Sequence, residues 1–251
     1  MHGSLLLVSL AIAPLAPATA SYRSTHFVVE APDAESAGAI ARAAERQLSD
    51  LSKKWLGREL PGWSELCPIT VALGHDAPGG CTTFVFKDGH VARQEVRVEG
   101  DLKRILEGVL PHEISHIVLT QHFRRPFPRW ADEGGAALAE GERELRRYRE
   151  RMARIIETPD RRIPLRDLFE LTGYPHDVFA FYGTGFSISS YLVTLKGRHT
   201  FLEFIAVGME GDWDLAVRKY YGFNSVEDLE KHWLARIRLD LDRLPDPMTS
   251  R

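Results

Sequence analysis

The order of apolar and polar positions divides the chain near residue 100. Thr25–Glu30 alternates and is rich in β-formers, so it predicts a strand. Asp33 can cap a helix running to about Trp55, with Ala37, Ile40, Ala44, Leu48 and Leu51 on one face. Pro68–Leu73 predicts a second strand and Gly79-Gly80 a turn. Cys81–Lys87 and His90–Val98 predict paired strands joined by a hairpin at Asp88-Gly89. From Asp101 helical periodicity takes over and runs to about Leu244. It breaks at Pro126 and Pro128, at Pro159, at Pro164 and at Pro175. The expected fold class is therefore α+β. A mixed or antiparallel sheet with a helix fills residues 21–100, and a mostly helical part fills 101–251, the two forming one domain.

The first twenty residues stand apart. Leu5–Val8, Leu10–Ala13 and Leu15–Ala16 make an apolar stretch that ends at Ala18-Thr19-Ala20, followed by Ser21. Small residues three and one before a cut fit signal-peptidase cleavage after Ala20. The stretch is too short to span a bilayer and carries Pro14 and Pro17. The expectation is a cleaved secretory signal over residues 1–20 and a periplasmic or extracellular protein with no stable membrane insertion. The alternative is a cytosolic N-terminal extension.

Composition narrows the classes. Hydrophobic residues are 44% and charged residues 27% of 251, which excludes a disordered polar chain and a multi-span membrane protein. With 32 basic against 35 acidic residues the formal charge is −3, so no overall field favours nucleic acid or anionic membrane. Cys67 and Cys81 are the only cysteines. Export makes a disulfide between them possible, against two reduced thiols.

The candidate chemistry begins at His112-Glu113-Ile114-Ser115-His116. On a helix, residues four apart lie about 40° apart around the axis, so both imidazoles can meet one Zn²⁺. Glu113 is offset by about 100°, close enough to serve a water beside the metal without ligating it. Ile105, Leu106, Val109 and Leu110 before the motif, and Ile117, Val118 and Leu119 after it, predict a buried segment. Pro111 should begin that helix or kink it. The competing reading is two core histidines on an ordinary helix. A third ligand decides between them, and Glu133 in Trp130-Ala131-Asp132-Glu133-Gly134-Gly135 is the candidate, with Asp132 its rival. The intervening stretch His122–Trp130 reads as a loop, so a second helix can start near Ala131.

These two segments together resemble the gluzincin zinc metallopeptidases, especially the peptidase-MA-like group. The resemblance implies a zincin-like fold, one Zn²⁺ held by His112, His116 and Glu133, and Glu113 as the group that activates water. It extends to Tyr182-Gly183-Thr184-Gly185-Phe186-Ser187, similar to a helix start whose tyrosine stabilises the tetrahedral intermediate. That role maps to Tyr182, whose alternative is a buried aromatic with a satisfied hydroxyl. The implied partner is a peptide or protein substrate. The Gly-x-Met-Glu-Asn segment by which gluzincin aminopeptidases capture a substrate amine has no match between Ser21 and Pro111, so attack from the N-terminus is not implied. A catalytically inactive zinc-binding scaffold is the alternative function.

Three further readings follow from pattern. Gly79–Phe86 is a candidate sheet edge along which an extended peptide could lie, as against an ordinary hairpin. Glu140–Arg154 alternates charge at helical spacing and predicts an exposed, ion-paired helix rather than a nucleic-acid site. His26, His75, His90, His122, His176, His199 and His232 have no partner at ligand spacing.

Overall fold

The computed structural model describes residues 20–63, 65–74 and 77–241. The expected signal segment and His75 lie outside the described residues, except that Ala20 opens the first strand. The described residues combine helices with one five-stranded mixed sheet and fall into two compact units.

The first unit takes the described residues up to Pro126 together with Gly135–Glu144. Its strands are β1 (Ala20–Arg23), β2 (Phe27–Ala31), β3 (Cys67–Leu73), β4 (Gly79–Lys87) and β5 (His90–Gly100), in the spatial order β1-β2-β3-β5-β4. β2, β3 and β5 run parallel to one another, and the two outer strands run antiparallel to their neighbours. A parallel pair needs a long crossover. Helix α1 (Ala34–Leu56) supplies it between β2 and β3. Asp33 caps α1 by accepting from the Ser36 amide, and Gly57 closes it in the left-handed region at φ 69°.

The hairpin at Asp88-Gly89 forms as its sequence predicts, both residues having positive φ. Gly79-Gly80, expected as a turn, instead opens β4, opposite Glu99 and Val98. The reason is steric. A Cβ at Gly80 would stand 2.8 Å from the Glu113 Cδ, so only glycine lets the strand pass so close to that side chain.

The cysteines are both free thiols. Cys67 is on β3 and Cys81 on β4, and β5 lies between those strands. Two strand spacings are about 9.6 Å, beyond the roughly 7 Å that a disulfide tolerates between Cα atoms. Burial pushes the Cys67 thiol up to about 12, so it stays neutral in the core.

Helical structure then runs without a break from α2 (Leu102–Arg104), capped by Asp101, through a π-helical turn (Ile105–Val109), into α3 (Leu110–Phe123). Pro111 therefore sits in the first turn of α3, directly after the widened turn. In a regular helix its ring would crowd the Glu107 carbonyl and leave it without a donor; here the turn before it is wider, the Leu110 amide reaching the Ile105 carbonyl. Leu110, Ile114, Ile117 and Val118 are fully buried, because α3 packs on α1 and on the sheet. This groups α3 with the sheet rather than with the later helices.

The second unit comprises Phe127–Gly134 and the described residues from Leu145 onward. Helix α4 (Arg129–Ala137) begins with Trp130, which stacks on Phe169 at 4.6 Å and meets Phe201 edge-on at 6.1 Å. Trp213 and Phe204 complete the aromatic cluster around Phe169. Further helices are α5 (Glu142–Glu157), α6 (Leu165–Glu170), α7 (Val178–Gly208), α8 (Trp213–Tyr221) and α9 (Val226–Leu241). α5 is the charged helix that the alternating run predicts, but it starts at Glu142 and leaves Glu140 outside.

α7 is long and apolar enough to cross a membrane by length and composition, with 50% of its most apolar window buried inside the protein. Gly197 interrupts it with φ 82°. A Cβ at Gly134 would overlap the Gly185 carbonyl and the Ser189 hydroxyl of α7, so α4 and α7 touch backbone to backbone.

α6, α8 and α9 are tied by Arg166, which donates to Asp214 and Glu227. Its hydrogen bonds hold the Glu227 carboxyl down at about 2, against an ordinary 4.5. A depressed carboxylate stabilises the fold above its ordinary value and loses that contribution as pH falls toward 2. Arg166→Met should therefore raise the midpoint of acid unfolding, followed by far-UV circular dichroism, by roughly half a pH unit, the effect being limited because Glu227 is largely exposed.

Candidate metal centre

The motif helix gives the site its direction. His112 and His116 project from one face of α3, and their ring centroids are 4.8 Å apart. α3 ends at Arg124, in the left-handed region at φ 55°, whose amide donates back to the Thr120 carbonyl. The chain then turns through Pro126 and Pro128. The Pro128 carbonyl accepts from the amides of Ala131 and Asp132, which starts α4. Glu133 follows one turn after Trp130.

The ligand atoms of His112, His116 and Glu133 all lie within 4.8 Å of one another. Tetrahedral zinc with bonds of about 2.1 Å has ligand edges of roughly 3.4 Å, so the three donors stand near the spacing that one ion requires. His116 and Glu133 are buried. Two imidazoles and one carboxylate, leaving further coordination positions, is a donor set suited to catalytic zinc. Asp132, the rival carboxylate, is not a member of the cluster and lies 3.8 Å from Arg129.

Glu113 is buried and is not one of the clustered donors. Thr82, on β4, donates to its Oε2 at 2.6 Å and also reaches its backbone carbonyl at 3.3 Å. No family model matches the chain. The curated proteins and the solved structures likewise give no match. The assignment of chemistry rests on this geometry and on the motif resemblance.

Three residues that the sequence reading leaves without a role touch the candidate groups. Glu140 accepts from His112 Nδ1 at 2.7 Å, which leaves Nε2 as the nitrogen for a metal. Thr82 holds Glu113. Tyr174 donates its hydroxyl to Glu133 Oε1 at 2.8 Å. Burial, then the nearby Glu133 and Tyr182, push the Tyr174 phenol well above its ordinary value and keep it protonated. None of the three sits at a fixed motif spacing. Glu140 offered one signal, because it is followed by Gly141 and so could end a helix rather than continue one.

Tyr182 lies in the first turns of α7. Its ring is 6.1 Å from that of Tyr174 and 5.7 Å from that of Phe181. The other described histidines lie outside the cluster; His26, for example, pairs with Glu45 at 2.7 Å.

Removing the partner of His112 should loosen the metal without unfolding the protein. Glu140→Ala should weaken Zn²⁺ binding by about 10–100-fold in competition with a chromophoric chelator. Unchanged affinity would show that Glu140 does not orient the ligand.

Proposed function

We propose that the protein is a zinc-dependent hydrolase of the gluzincin type that cleaves peptide bonds. The observation carrying this reading is the convergence of His112, His116 and Glu133, with a buried Glu113 next to His112 in the chain. A Zn²⁺ ion bound by those three side chains would polarise the scissile carbonyl and acidify a water molecule.

Glu113 acts as general base. It takes the proton from the attacking water and then passes it to the departing amine nitrogen. The Thr82 hydrogen bond on Oε2 limits how the carboxylate can turn, which supports this role. Gly80 leaves the space that the Glu113 side chain occupies, which a Cβ there would fill. Tyr182 is assigned to the oxyanion as a hydroxyl donor.

β4 supports a peptide substrate over a small molecule. It is one of the two edge strands of the sheet, and its first residues run beside Glu113. An extended segment pairing along that edge would bring its carbonyls past the base. The proposal includes export, carried by the apolar Leu5–Ala16 stretch and the Ala18-Thr19-Ala20 site. N-terminal sequencing of the protein recovered outside the cytosol should start at Ser21.

The central test combines metal analysis with a digest. Purified protein should carry about one zinc, and His116→Ala should lose it. A proteome-derived peptide library should be cut by wild type and left intact by Glu113→Gln, which still binds zinc. A zinc-loaded wild type with no cleavage would favour the inactive scaffold. A wild type that binds no zinc would overturn the reading altogether.

A further inference from the structure

We propose that Tyr174 is a positioning residue for the third metal donor, its hydroxyl fixing the Glu133 carboxylate so that one oxygen is engaged by the tyrosine and the other is presented to the metal. This rests on the metal-site reading above and extends it to a residue outside every motif.

Tyr174 belongs to the connector between α6 and α7, which would ordinarily be the least ordered kind of segment near a site. Here the ring is held by its surroundings. Phe181 meets it edge-on at 5.4 Å, Tyr182 lies alongside at 6.1 Å, and the Arg129 guanidinium stands 5.5 Å from the ring centroid. Pro175 follows it directly and restricts its backbone to extended conformations. Tyr174 is 37% exposed, yet its polar end turns onto a carboxylate that is only 5% exposed. The hydroxyl's position is thus set by α4 and α7 residues, the same two helices whose backbones meet at Gly134 and Gly185.

The chemistry follows from what four-coordinate zinc requires. A carboxylate near such an ion can bind through one oxygen or swing to bind through both, which raises the coordination number. A hydroxyl donor on Oε1 opposes that swing and holds the plane of the carboxylate. Tyr174 and Glu140 would then play parallel parts. Glu140 orients a histidine ligand by accepting a hydrogen bond, and Tyr174 orients the carboxylate ligand by donating one.

Tyr174→Phe keeps the ring and removes only the oxygen. Zn²⁺ affinity is read by chelator competition, and coordination by the visible absorption of the Co²⁺-loaded protein. Phe179→Ala is the control, because Phe179 is an exposed neighbour whose ring contact is Arg151. The expected result is a Zn²⁺ Kd raised about 10–100-fold and a weaker Co²⁺ absorption in Tyr174→Phe, with both unchanged in Phe179→Ala. Thermal unfolding of the metal-free forms should coincide with wild type within a few degrees. Unchanged Zn²⁺ affinity and Co²⁺ spectrum in Tyr174→Phe, with wild type binding one zinc, would overturn this inference and leave the metal site standing. So would an affinity loss accompanied by unfolding of the metal-free variant, which would mark a structural role. Absence of zinc from wild type would instead remove the reading on which the inference rests.

Discussion

The candidate centre depends on how α4 is anchored. Glu133 has no ligand geometry of its own to enforce, being one carboxylate on a nine-residue helix. Its position is set three residues earlier by Trp130, whose indole is fully buried in the aromatic cluster with Phe169 and Phe201. It is set again one residue later by Gly134, where the absence of a side chain lets α4 rest against the α7 backbone at Gly185. Apolar burial of a tryptophan and a glycine contact thus locate a charged group. The Trp-Ala-Asp-Glu-Gly segment carries the candidate metal donor and its scaffold in adjacent positions.

Around the donors, the polar contacts form a consistent pattern. Each of three groups assigned to the chemistry has a partner that limits its rotation: His112 has Glu140, Glu113 has Thr82, and Glu133 has Tyr174. These partners come from the end of α4's following turn, from the edge strand, and from a connector. Buried polar groups that lack such bonds are costly, and buried groups that have them hold one orientation. The arrangement before any ligand arrives is therefore already restricted.

How much of this was legible in the sequence follows the range of the interactions. Local signals read well. Asp33 as a cap, Asp88-Gly89 as a hairpin and the period of α1 are all set within a few residues. The histidine pair was legible for the same reason, since four residues on a helix define a face. Gly79-Gly80 misled because two glycines normally mark a turn, whereas here they answer to Glu113, distant in sequence. The absence of a disulfide between Cys67 and Cys81 had the same origin, since β5 inserts between their strands and strand order is not a local property. Glu140, Thr82 and Tyr174 lay outside every motif, because each meets its partner through hydrogen bonding between residues far apart in sequence. The helical path from α2 to α3 was legible in the periodicity that starts at Asp101, whereas Pro111 pointed to a start or a kink and gave no sign of the π turn before it.

That π turn has a consequence for how the chain tolerates changes in length. Removing one residue from a regular helix turns everything beyond it by about 100°, which would swing both imidazoles away from Glu133. A π turn holds one residue more than the α-helical turn it replaces, with the Leu110 amide reaching back to the Ile105 carbonyl. Shortening the chain by one residue within Ile105–Val109 would return that turn to ordinary winding and leave the azimuth of His112 and His116 as it is, while bringing the Pro111 ring against the turn before it. Among the helical residues leading to the motif, this single turn is a slack link where a deletion need not rotate the ligands.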